Sequence, residues 1–84
     1  LIMYTLVYTE EFLKQLRKLN KIIQQRIVST LERVRVRPYP HVKRLVDSPY
    51  FRLRVGDYRV ILDIQENKLL IYVLEVGHRK NIYK

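Results

Sequence analysis

The sequence predicts an α+β fold, and three observations carry that reading. Apolar residues recur at helical spacing from residue 12 to residue 34, then follow a period of two from residue 51 to residue 64, and one short aromatic and β-branched run stands before the helices. The predicted architecture is a short N-terminal strand, an antiparallel two-helix hairpin on one face of an antiparallel sheet, and a C-terminal three-stranded meander.

The first run, Tyr4-Thr5-Leu6-Val7-Tyr8, suits a pleated strand. Thr9 follows as a helix cap, with Glu10 and Glu11 in the first turn, where the helix dipole favours negative charge. Phe12, Leu13, Leu16 and Leu19 line one side of this helix, and Lys14, Arg17 and Lys18 the other. Asn20 punctuates the chain. Ile23, Ile27, Leu31 and Val34 then mark the buried stripe of a second helix, which Pro38 must stop because it lacks a donor and clashes with the preceding turn. Helices joined so tightly should run antiparallel.

The segment Arg37-Pro-Tyr-Pro-His-Val42 reads as a proline-stiffened loop. Beyond it the period is two. Phe51, Leu53 and Val55 point one way and Arg52 and Arg54 the other; after a Gly56-Asp57 turn, Tyr58, Val60, Leu62 and Ile64 alternate with Arg59, Ile61 and Asp63. Glu66-Asn67 turns the chain again, and Leu69 to Val76 is apolar on both faces, the pattern of a central strand. A bulge at Gly56 would turn one of the arginines away from the others.

At 84 residues the chain is one domain, near the size at which a single core buries only about 60% of the unfolded surface. It begins Leu1-Ile2-Met3, and Met3 is the expected natural start. Cysteine is absent, which excludes a disulfide framework, a thiol nucleophile and a thiolate metal site. No apolar run reaches the roughly 18–20 residues of a membrane span, so the expectation is a soluble cytoplasmic protein without a membrane partner. No His, Asp and Glu share ligand spacing, and the two glycines form no phosphate loop, so neither metal nor small-molecule cofactor is expected.

Charge is the informative quantity. Seventeen Lys and Arg against eight Asp and Glu give a net charge of +9, a positive potential that attracts polyanions, nucleic acid above all. Arg52, Arg54 and Arg59 should emerge together on the face that the helices leave open, where their planar forks match phosphate oxygens. Alternatively they solvate an exposed sheet, paired with Asp63 and Glu75. The tail Val76-Gly-His-Arg-Lys-Asn-Ile-Tyr-Lys84 adds His78, Arg79, Lys80 and Tyr83 at the end of the last strand. Taken singly, Tyr83 is more often a packed terminal residue than a ring that stacks on a base, and a lone His78 is more often structural than a proton carrier. His41, in the proline loop, reads as structural.

The ordered set Arg52-Leu-Arg-Val-Gly-Asp-Tyr-Arg-Val60, followed by a strand ending Val76-Gly-His-Arg-Lys and Tyr83, resembles the RelE toxins of the RelE/ParE superfamily of bacterial and archaeal toxin–antitoxin systems. The resemblance spans nearly the whole chain. It implies a RelE-like fold and a ribosome-dependent endoribonuclease that cleaves mRNA in the ribosomal A site and inhibits translation, held in check by a RelB-like antitoxin. It places Arg59 and Arg79 as catalytic arginines, Tyr83 as the base-stacking residue, and Arg52, Arg54 and Lys80 as contacts to RNA phosphates. Near Tyr50 the family often carries a lysine implicated as general base; here an aromatic residue stands instead, and His78 is the substitute candidate. Two rival readings share the basic surface: a ParE-like poison of DNA gyrase without nuclease activity, against which the Arg79 to Tyr83 tail argues, and a non-catalytic RNA-binding module.

Overall fold

The computed structural model describes residues 3–79. A strand β1 (Thr5–Tyr8) leads into helices α1 (Glu10–Arg17) and α2 (Lys21–Val34). Strands β2 (Val42–Arg44), β3 (Phe51–Val55), β4 (Tyr58–Gln65) and β5 (Leu70–His78) follow, in a single sheet of order β1-β5-β4-β3-β2. Both helix starts are capped: Thr9 Oγ1, the expected cap, accepts from the Phe12 amide at 3.1 Å, and Asn20 Oδ1 accepts from the Ile23 amide at 3.0 Å. The second helix ends at Val34, before Pro38.

Alternation sorts the strands as expected. Leu53, Val55, Val60, Leu62, Ile64, Ile71, Val73 and Val76 lie in one buried cluster with Phe12, Leu16, Ile27, Leu31 and Val34 of the helices, so both helices cover the same face of the sheet. Burying these side chains supplies the main driving force for folding, at about 25 cal/mol per Å² of apolar surface. Tyr8 stacks on Phe12 with ring centroids 5.3 Å apart, tying β1 to α1.

Three features differ from the sequence reading. The sheet is mixed, because β1 runs parallel to β5 with Thr5 opposite Leu70 and Tyr8 opposite Val73. The meander has a fourth strand: Val42-Lys43-Arg44 pairs antiparallel with β3, although three residues after a proline loop give too short a pattern to register as a strand. As its two apolar faces imply, β5 is an interior strand, flanked by β1 and β4. Finally, the irregularity in the ladder lies not at Gly56 but farther along β5. Ile61 faces Glu75 while Leu62 faces Val73, which leaves Leu74 as an extra residue. Gly56, with φ of 59°, supplies the left-handed conformation that a two-residue hairpin with glycine first requires. No helix among the described residues is long and apolar enough to cross a membrane.

Candidate nucleic-acid interface

On the face away from the helices, the register sets the arginines side by side. Arg54 lies opposite Arg59, and Arg59 opposite Gly77; one pair farther on, Arg52 is flanked by Lys43 on β2 and Ile61 on β4. The sequence-predicted trio of Arg52, Arg54 and Arg59 is therefore assembled, and Lys43 joins it through the strand that the sequence pattern missed. Arg79 stands just past β5, where its amide donates to the Asp57 carbonyl at 2.9 Å and so fastens it to the β3–β4 turn.

Arg59 is the centre of the group. It is 9% exposed, the one buried charged residue among those described. Its Nη1 donates to the Tyr58 carbonyl at 3.3 Å, while Nε is buried without a hydrogen-bond partner among the described residues. Arginine is seldom buried unless paired. Its guanidinium is held below the usual arginine range, first by burial and then by the like charges of Arg54, Arg52 and Arg79, with Asp57 pulling weakly the other way. Those charges locate all four guanidiniums within one field. A site of this kind suits an anion, whose charge would offset the mutual repulsion of the guanidiniums.

His78 stands elsewhere. It pairs with Tyr58 in the register, its ring edge-on to the tyrosine at 5.5 Å, and it shares the parity of Val76 rather than that of Gly77. The structure thus separates His78 from Arg59, correcting its expected place beside the arginines; alternation alone sends adjacent residues to opposite faces. Tyr50 is exposed in the turn before β3, its carbonyl accepting from the Leu45 amide at 3.0 Å. Lys80 and Tyr83 lie outside the described residues.

Two residues of this face were not singled out by the sequence. Ile61 is buried yet absent from the core beneath the helices, and it forms an apolar floor between Arg52 and Glu75. Asp57 anchors Arg79 through its backbone, and no side-chain pattern signals a contact of that kind.

The described residues thus form a mixed sheet with two helices on one face and four arginines gathered on the other. The family model described as the ParE toxin of the type II toxin–antitoxin system parDE matches residues 6–83. The chain belongs to this family, within the RelE/ParE superfamily of type II toxins. The mRNA interferase toxin RelE of Escherichia coli K12 is 28% identical over 80 residues, covering 92% of this chain and 84% of that protein. Among solved structures, the toxin–antitoxin complex RelBE2 of Mycobacterium tuberculosis contains a chain that superposes with a TM-score of 0.84 at 26% identity, over 93% of this chain and 100% of that one. The archaeal RelE–RelB complex of Pyrococcus horikoshii gives a TM-score of 0.82 at 24% identity, over 95% and 99%, a likeness of fold.

Proposed function

We propose that this toxin is an mRNA interferase, an endoribonuclease that cuts messenger RNA on the ribosome. The observation that carries the reading is the buried, incompletely satisfied guanidinium of Arg59 inside the field of Arg52, Arg54 and Arg79. The ribose 2′-OH attacks the adjacent 3′-phosphorus and loses its proton, the bond to the 5′-oxygen breaks, and that oxygen takes up a proton. The products are a 2′,3′-cyclic phosphate and a 5′-OH end. Charge accumulates on the phosphoryl oxygens along this path, and prearranged cations are the groups that lower its cost. Arg59 and Arg79 form that clamp, while Arg52 and Arg54 hold flanking phosphates. Tyr83 stacks on a base, a contact worth about 1–3 kcal/mol, and Lys80 adds to the phosphate grip. The cluster offers cations but no strong base, and His78 lies on the other face, so the ribosome is assigned the task of ordering the RNA for attack.

The natural partner in this reading is an antitoxin of the RelB kind, as in the complexes named above, with acidic side chains that cover the arginine face. Mapping the 5′ ends of a defined message on programmed ribosomes tests the activity. Replacement of the scissile nucleotide by its 2′-deoxy form should block cutting, and equal cutting would reject the mechanism. Arg79→Ala should abolish growth arrest while leaving the fold intact, and undiminished toxicity would remove Arg79 from the site.

The family model's own description favours a second reading, a ParE-like poison of DNA gyrase. The two separate cleanly: an interferase leaves cut messenger RNA, whereas a gyrase poison leaves broken or aberrantly supercoiled DNA and intact messages.

A further inference from the structure

Strict alternation along β5 would give residues 77 and 79 the parity of Ile71 and Val73, beneath the helices. The extra residue Leu74 reverses this. Beyond it Val76 joins the core, Gly77 lies opposite Arg59, and Arg79 enters the field of the other arginines. The bulge in β5 therefore decides whether the fourth guanidinium reaches the site at all.

That bulge sits where β5 has lost its neighbour. Strand β1 ends at Tyr8, opposite Val73, so the edge of β5 from there onward has no strand on that side. Helix α1 takes over the vacant hydrogen bonds. The Thr9 amide donates to the Val73 carbonyl at 3.2 Å, and Thr9 Oγ1 lies 3.0 and 3.1 Å from the carbonyls of Val73 and Leu74. Gln15 Oε1 accepts from the Val76 amide at 2.7 Å, while Gln15 Nε2 donates to Glu11 Oε2 at 3.0 Å, which fixes the orientation of its amide. The two contacts bracket Leu74 and Glu75 from either side. An amide and two carbonyls freed from the ladder are satisfied by one helix.

We infer that Thr9 and Gln15 are positioning residues for Arg79, holding the β5 bulge that turns Arg79 onto the arginine face. The inference rests on the interferase reading for its link to activity, while its structural half stands independently. Neither residue touches the RNA site; both act through the backbone of β5.

Gln15 is the cleaner probe, because Thr9 also caps α1. Gln15→Leu removes the acceptor at similar size, and Gln15→Glu retains it. In programmed ribosomes Gln15→Leu should lower the cleavage rate by up to about 100-fold, as small misplacements of a catalytic group do. RNA affinity should change by less than about threefold, since a positioning residue acts on the rate and not on the grip. Gln15→Glu should recover most of the rate. Combined with Arg79→Ala, Gln15→Leu should cost nothing further, because Arg79 is the group it positions. Wild-type cleavage by Gln15→Leu, or losses that multiply in the double variant, would overturn the inference. Should the unsubstituted toxin cut no RNA, the interferase reading fails by itself. The positioning role is then decided by hydrogen exchange at the Val76 amide and a crystal structure of Gln15→Leu: faster exchange with Arg79 displaced from Arg59 sustains it, and an unchanged Arg79 refutes it.

Discussion

Arg59 carries a cost for the position it holds. A guanidinium buried with an unpartnered Nε, beside three like charges, is stabilised less in the fold than in water. Replacing it with an apolar residue of similar reach should therefore stabilise the domain as it destroys the function. Arg59→Leu is expected to raise the unfolding free energy by about 1–2 kcal/mol, the usual cost of a buried unsatisfied polar group. It should also lower cleavage by about 10²–10³-fold, as the loss of one charge-stabilising donor does. The pH dependence follows from the sign of the shift. Because the folded state depresses the arginine's affinity for its proton, the penalty is complete below the folded value and is relieved only as pH rises through that value. The stability difference between Arg59→Leu and the parent should hence be flat from about pH 6 to 9 in urea titrations. A variant less stable than the parent would show that Arg59 contributes to the fold instead of burdening it.

At the scale of elements, the junction before β5 holds a second local compromise. Leu69 adopts φ 54° and ψ 43°, a left-handed conformation that crowds the β-carbon of any L-residue, and its side chain is 39% exposed. The conformation is held because the Leu69 amide donates to Glu66 while its carbonyl accepts from Thr5, the first rung joining β1 to β5. Leu69→Gly should relieve the strain and, after the entropy that glycine adds to the unfolded chain, raise stability by about 0.5–1 kcal/mol. A rise in melting temperature with unchanged activity checks it. The same strand carries the bulge that Thr9 and Gln15 bracket, so the two ends of β5 have separate tasks: Leu69 fixes its register against β1, and Leu74 fixes which face its far end presents.

For the whole molecule, five of the seventeen basic residues, Lys43, Arg52, Arg54, Arg59 and Arg79, share the side that the helices leave open. Binding to single-stranded RNA should weaken steeply with salt, because each phosphate neutralised releases counterions. Substituting Arg52 or Arg54 by Gln is expected to reduce the slope of log K against log salt by about 0.7 for each residue. Slopes that do not change would mean that these side chains make no phosphate contact. On the proposed reading, a field that attracts RNA is equally available to the acidic side chains of an antitoxin.

Much of this was legible from local pattern. The Thr9 cap, the apolar stripes of both helices and the parity that sends Arg52, Arg54 and Arg59 to one face all follow from chemistry within a few residues, where periodicity and hydrogen-bonding preference are written directly in the chain. What the sequence could not determine depends on partners distant along it. Strand β2 exists because β3 offers it a ladder. The mixed sheet arises because β1 docks beside a strand more than sixty residues away. Arg79 reaches Arg59, and His78 does not, because one extra residue in β5 reverses the alternation, at the place where Thr9 and Gln15 meet the backbone groups that the end of β1 leaves unpaired. Side-chain parity is a local property until a bulge interrupts it; the bulge is a tertiary decision.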